Sequence, residues 1–322
     1  MRTSRLKIPS DLCGANYHVM NRTVNGEIFF DDVDREVLRQ QIWKVAEFCG
    51  IKVLTYQVMI NHFHLLAHVP KKVTISDEDL LRRHRALYPA HSKRRNELAA
   101  GLADGAPEAL LWRERMIRLM GDLSAFVKLL KERFTLWFNR SHGRYGTLWS
   151  ERFKSVLLES TGPALERCAL YIDLNPYRAG LVEDPNEYRF GGYAEAVAGN
   201  EPARAGLIFL LGASDWEQAQ TRYRKRLAEA AARERKTGRV MPAEEVAEIL
   251  ATGGKLSVGE VLLCRWRFFT EGVVLGSQAF VAEQLAFFRE RAGLGPRMRP
   301  RPLQGAFWDG LAVLRNLQRG RA

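Results

Sequence analysis

Ile51-Lys-Val-Leu-Thr-Tyr-Gln-Val-Met-Ile-Asn-His-Phe-His-Leu-Leu-Ala-His-Val69 is a run of β-branched, aromatic and apolar residues closed by Pro70. A run of this kind predicts a buried strand, and proline, which has no amide to give a ladder, ends it. Side chains alternate across a strand, so His62 and His64 share one face while Phe63 and Leu65 take the other. About a hundred residues later stands Tyr171-Ile-Asp-Leu-Asn175, followed by Pro176. Residues four apart share a helical face, so Tyr171 and Asn175 point the same way. Proline lacks the amide and clashes with the previous turn, so this helix bends or ends near Asn175. Taken alone, the two histidines are weak evidence of a metal site, since core packing or chance explains most such pairs.

Working outward, Ala15 to Met20 alternates as a first strand, and Asn21 to Gly26 is a turn cluster. Asp31-Asp-Val-Asp34 opens a helix with acid in its first turn, and Gly50 stops it. Lys71 to Pro107 is basic, with a capping signal at Ser76 and Asp79 and a loop expected over Gly101 to Pro107. From Glu108 to Asn139 helical periodicity returns, with Phe126, Leu129, Leu130, Phe134, Trp137 and Phe138 as a core stripe. Lys128 and Lys131 lie off that stripe, as a solvated flank or as phosphate contacts. Arg152 to Leu158 predicts a strand, and Pro163 and Gly180 bracket the helix of Tyr171. This order of elements predicts an α+β sandwich on an antiparallel sheet.

The composition bounds the function. The chain has 322 residues, 46% hydrophobic and 10% aromatic, with a formal net charge of +12. That balance excludes general disorder and favours an anionic polymer, nucleic acid first, as partner. Cys13, Cys49, Cys168 and Cys264 are scattered, with no metal-knuckle spacing, and fit a reducing cytoplasm. No stretch reaches the roughly 20 apolar residues of a membrane span, and no apolar segment follows the charged amino terminus, so a cytoplasmic protein is expected. The expected organisation is a main domain over 1–195 with a basic insertion about 71–107, a charged helical connector over 196–240, and a helical region with a basic tail over 241–322. In the last, helices over 243–250, 257–269 and 277–289, the last two joined at Thr270 to Gly276, permit a helix-turn-helix reading shared by many small bundles. The tail arginines, including Arg297, Arg301 and Arg319, read as a phosphate-seeking arm or a solvated end.

The motifs Tyr17-His-Val-Met-Asn-Arg22, Met59-Ile-Asn-His-Phe-His-Leu-Leu66, Gly146-Thr-Leu-Trp-Ser-Glu-Arg-Phe153 and Tyr171-Ile-Asp-Leu-Asn-Pro-Tyr-Arg-Ala-Gly-Leu-Val182, in this order, resemble the REP-associated tyrosine transposases, HUH single-tyrosine enzymes of the IS200-like superfamily. The resemblance covers roughly Ala15 to Tyr193. It implies a ferredoxin-like or RRM-like antiparallel sheet, the HUH nuclease fold, here followed by a smaller all-helical carboxy-terminal region. It also implies His62, His64 and Asn175 as metal ligands and Tyr171 as nucleophile. The expected cation is Mg2+ or Mn2+, because two imidazoles and an amide oxygen leave an uncharged, open site and no thiolate set favours zinc. Single-stranded hairpin DNA is the expected partner, with Arg22, Lys128, Lys131, Arg152, Lys154 and Arg178 as candidate contacts. No Walker-type loop is present, so no nucleotide cofactor is expected, and a monomer is favoured over a homodimer. His18 is expected to support the ligands rather than join them; Tyr56 and Tyr177 are expected in the core, and Asp173 off the Tyr171 face. The competing readings are a replication initiator or relaxase-type nickase, and a DNA- or RNA-binding regulator on the same fold without activity.

Overall fold

The computed structural model describes residues 6–27, 30–236, 272–292, 294, 298–303 and 310–315. The first strand, β1 (Ala15–Arg22), is followed by α1 (Asp32–Cys49), whose Asp31 and Asp34 form a reciprocal capping box. Gly50 ends α1 at φ 65°, a left-handed turn that favours glycine. The long apolar run is a hairpin rather than one strand: β2 (Lys52–Val58) and β3 (His62–Val69) pair antiparallel around Met59 to Asn61. The chain reverses there because the Met59 amide donates to the His62 carbonyl at 2.8 Å and the Asn61 carbonyl accepts from Thr23.

The basic insertion forms α2 (Asp77–Leu87), capped by Ser76 as expected, α3 (Ser92–Ala103) and α4 (Pro107–Ile117). The loop expected from Gly101 is shorter: residues 101–103 stay helical because Leu102 is buried. The stripe helix is α5 (Leu123–Ser141), followed by β4 (Lys154–Leu158), α6 (Pro163–Asp173) and the single turn α7 (Asn175–Arg178). Then come α8 (Gly192–Val197), α9 (Glu201–Leu211) and α10 (Trp216–Lys236). Asp215 caps α10 by accepting from the Gln218 amide. Far from being an exposed connector, α10 buries Ala219, Tyr223, Leu227 and Ala230 against α6 and α9.

Strands β1 to β4 run in the order β2-β3-β1-β4 with every neighbour antiparallel. With α1 and α5 this is the expected ferredoxin-like arrangement. The carboxy-terminal region contains the expected helix, α11 (Gln278–Ala292), and adds strands to it: β5 (Gly272–Ser277), β6 (Arg301–Pro302) and β7 (Leu311–Arg315). They extend the sheet past β4 in the order β5-β7-β6, with β5 parallel to β4. Residues 272–276, expected as a helix-joining turn, are therefore strand, stabilised by ladder partners on both sides. That replaces the helix-turn-helix reading; the helices expected over 243–250 and 257–269, and Arg297 and Arg319, lie outside the described residues.

The sheet has two unlike faces. α1, α5 and α11 cover Tyr17, Val19, Phe63, Leu65 and Leu157 on one. On the other, α6, α9 and α10 cover Leu54, Leu66, Val156 and Leu158, and this face also carries His18, Met20, Arg22, His62 and His64 by register. α9 approaches β2 closely at Gly206, where a Cβ would lie 2.3 Å from the Val53 carbonyl oxygen. Gly206→Ala gains helix propensity of about 1 kcal/mol, yet the clash with rigid backbone costs about 1–3 kcal/mol. Urea unfolding is expected to show a lower midpoint for this variant; an unchanged or higher one would contradict the close packing.

Candidate active site

The register of β1 against β3 aligns Arg22 with His62, Met20 with His64 and His18 with Leu66. Directly opposed residues share a face, so His18, His62 and His64 project together. Their rings are close: His62 and His64 lie 5.1 Å apart between centroids, and His18 stacks on His64 at the same distance. His18 Nε2 and His64 Nδ1 are hydrogen-bonded at 2.9 Å. On the other histidine, Nδ1 is bonded to Asn61 Oδ1 at 2.7 Å. Each ring of the pair is thus held through Nδ1, the way a supporting shell orients an imidazole whose other nitrogen serves as ligand.

Burial pushes the His62 imidazole down to about 3, helped by the nearby Arg22 charge. His64 lies well below its ordinary value, first through burial and then through His18, His62, Arg178 and Arg22. Both rings are therefore neutral at physiological pH, the state in which imidazole binds a cation.

Tyr171 reaches this face from α6. Its ring sits edge-on to His64 at 5.6 Å and to His18 at 6.0 Å, and the residue is only 4% exposed. The helix ends just beyond it for a local reason. Pro176 has no amide for the Ile172 carbonyl, and Asn175 Nδ2 donates instead to the carbonyls of Ile172 (3.2 Å) and Tyr171 (3.0 Å). With its amide nitrogen spent on backbone, Asn175 keeps Oδ1 as the atom it can offer a ligand.

Arg178 finishes the same helix end. It is buried, donates to the carbonyls of Tyr171 and Leu174, and lies over the Tyr171 ring with its guanidinium carbon 4.4 Å from the centroid. Expected as a candidate DNA contact, it is instead an internal brace, because its stem folds back along α6. Lys128 takes the solvated-flank alternative: it is 73% exposed, pairs with Glu132, and stands on α5 behind the opposite sheet face. Arg22, Arg152 and Lys154 do come together, lining a cleft of about 270 Å³ with Asn21, Asn25 and Ser150. Lys131 reaches the margin of that cleft, donating to Asn21 Oδ1 and the Glu151 carbonyl.

The other expectations sort cleanly. Tyr56 and Tyr177 are core residues, and His68 bonds Asn16 and packs on Phe209. Asp173 is off the Tyr171 face, fully buried, and accepts from Thr55 Oγ1 at 2.8 Å and the Tyr223 hydroxyl at 2.6 Å. Burial raises its carboxyl to about 7 against these donors. Asn61, bonded to His62, and Tyr223, bonded to Asp173, are neighbours of the candidate site that the sequence did not single out. The first was detectable as a polar residue directly before the pair; Tyr223, fifty residues from Asp173, carried no local signal. Among the described residues, no three His, Cys, Asp or Glu side chains group as metal ligands. A ligand set built on the two imidazoles needs an amide or substrate oxygen to complete it.

Residues 12–78 match the family model described as transposase IS200 like. Among solved structures, a REP-associated tyrosine transposase bound to a REP hairpin is similar at 15% identity, over 62% of this chain and 87% of that one, with a TM-score of 0.35. No curated protein matches the chain. The family match bears out the resemblance read from the motifs, over the segment that carries β1, α1, β2 and β3 with both histidines. Tyr171 and Asn175 lie beyond it. No described helix is long and apolar enough to cross a membrane.

Bracing by Arg178 has a measurable consequence. Arg178→Met keeps the apolar stem and removes the donors to two buried carbonyls, so stability should fall by about 1–3 kcal/mol. Denaturant unfolding reads this directly, and a wild-type midpoint would show that the brace is dispensable.

Proposed function

We propose that this protein is a metal-dependent endonuclease and strand transferase acting on single-stranded hairpin repeat DNA, with Tyr171 as the covalent nucleophile. One observation carries the reading: a tyrosine delivered by α6 sits 5.6 Å, ring to ring, from a histidine of an oriented, neutral pair on the same sheet face. His62, His64 and Asn175 fit Mg2+ or Mn2+, since they offer two imidazole nitrogens and an amide oxygen and no charge. A divalent cation bound there supplies positive charge to the scissile phosphate and the departing 3′ oxygen.

The chain's own residues perform the remaining work. Tyr171 gives up its phenolic proton as its oxygen bonds to phosphorus, and the bond from phosphorus to the 3′ oxygen breaks. The 3′ oxygen takes a proton and leaves as a hydroxyl, while the 5′ phosphate stays on the tyrosine. Attack by another 3′-hydroxyl reverses these steps and joins the strands. One phosphodiester is exchanged for another, so no nucleotide is consumed. Arg22, Arg152 and Lys154 around the cleft hold backbone phosphates without reading bases. The proposal needs only one copy of the chain, since histidines and tyrosine share a face within it.

The test is a gel assay with labelled single-stranded hairpin DNA in magnesium, manganese or chelator. Wild-type protein should cleave and form a covalent adduct with either metal and neither with chelator. Tyr171→Phe should abolish the adduct. His62→Ala should bind DNA normally and nick at least about 100-fold more slowly. Adduct formation by the Phe variant would end the tyrosine assignment, and tight binding without cleavage by wild type would favour a regulator instead.

A further inference from the structure

The last residue of α6 is held more firmly than the docking of a helix requires. Asp173 is wholly buried, and its carboxylate takes donors from two separate elements, Thr55 Oγ1 of β2 at 2.8 Å and the Tyr223 hydroxyl of α10 at 2.6 Å. Burying a carboxylate costs several kcal/mol unless it is fully hydrogen-bonded. Apolar contacts at Ala219, Leu227 and Ala230 already seat α10 without it. A polar lock at this position therefore adds direction rather than area.

Its place on the helix says what it directs. Asp173 follows Tyr171 by two residues, roughly 200° around the axis, so a tie at one limits rotation of the other. Taking the phenol oxygen to stand roughly 8–9 Å from the axis, a turn of about 10° displaces it by about 1.5 Å. A misplacement of about 1 Å can cost about 100-fold in rate. Beyond Asp173 the helix cannot set its own rotation by continuing, because Pro176 breaks it and side chains of Asn175 and Arg178 occupy its last carbonyls. The tie is also referred to the right frame. Thr55 stands two residues from Gln57, which directly opposes His64 in the β2–β3 ladder.

We propose that Asp173, gripped by Thr55 and Tyr223, is a positioning residue that fixes the rotation of α6 and thereby aims Tyr171 across the histidine face. This rests on the reading of Tyr171 as nucleophile. α10 then contributes to the reaction through one hydroxyl.

Two measurements on the full chain test it. The first is the single-turnover rate of covalent adduct formation on hairpin DNA with magnesium, beside DNA affinity and melting temperature. Thr55→Val keeps the volume and removes the hydroxyl, Thr55→Ser keeps the hydroxyl, and Tyr223→Phe keeps the ring on Tyr193. The Val and Phe variants should form adduct at least 10-fold more slowly with affinity within 2-fold of wild type, and Thr55→Ser should restore the rate. The second uses 3-fluorotyrosine protein, with the Tyr171 fluorine resonance assigned by its loss in Tyr171→Phe. That resonance should shift or broaden in the Val and Phe variants and return in Thr55→Ser. Wild-type rates and an unmoved resonance would overturn the proposal, as would a Ser variant no better than Val with rate and melting temperature falling together. If wild-type protein forms no adduct, the nucleophile reading fails, while the fluorine spectra still decide whether the lock sets the tyrosine.

Discussion

The antiparallel register between β1 and β3 governs where every other part of the site can be. Because β1 pairs residue for residue with β3, Arg22, Met20 and His18 stand beside His62, His64 and Leu66 on one face. A slip of one residue would turn His62 and His64 into the layer now filled by Phe63 and Leu65, against α1 and α5. Burial of those two apolar residues thus enforces the exposure of the histidines to the opposite layer. Each large side chain so buried contributes about 1.5–3 kcal/mol, so the apolar half of the strand holds the polar half in place.

Two helices on one face and a tyrosine helix on the other complete this division. In the ferredoxin-like unit α1 and α5 both pack behind the histidines, leaving the front of the sheet to be covered by later elements. α6 fills part of that front and stops where Asn175-Pro176 interrupts its ladder. The interruption has a structural use: carbonyls that a longer helix would satisfy internally accept from Asn175 and Arg178. Asn175 is thereby fixed beside Tyr171 by the very bonds that end the helix, and its remaining oxygen is the one a cation could use.

Much of this was legible in the sequence where the signal is local. Period-two alternation announced the histidine face, Asp31 and Gly50 bounded α1, and proline marked the end of α6. The turn at Met59 to Asn61 was invisible because it contains neither glycine nor proline and depends on a bond from Thr23, distant in the chain. β5 looked like a turn because glycines flank Val273 to Leu275; its strand character comes from β4 and β7, which sequence does not show as neighbours. α10 was misjudged from its charge and alanine content. Its buried residues Ala219, Tyr223, Leu227 and Ala230 follow a helical stripe only one residue wide, easily lost among arginines. Arg178 was misread because a long side chain's target is set by packing, not by composition.

Charge and neutrality are divided within the active face, and one residue links them. Arg22 lines the cleft suited to phosphate and also lies close enough to His62 and His64 to depress their protonation. Burial is the larger cause for both rings, but burial alone would favour neutrality in any core histidine. Beside a basic cleft the effect is reinforced by the positive charge of Arg22. A chain with net charge +12 could have spoiled a cation site by repulsion. On the proposed reading the ligands that would face the cation carry no charge of their own, and Arg152 and Lys154 stand at the cleft, where a bound phosphate would supply the negative charge that these side chains and a divalent ion both require.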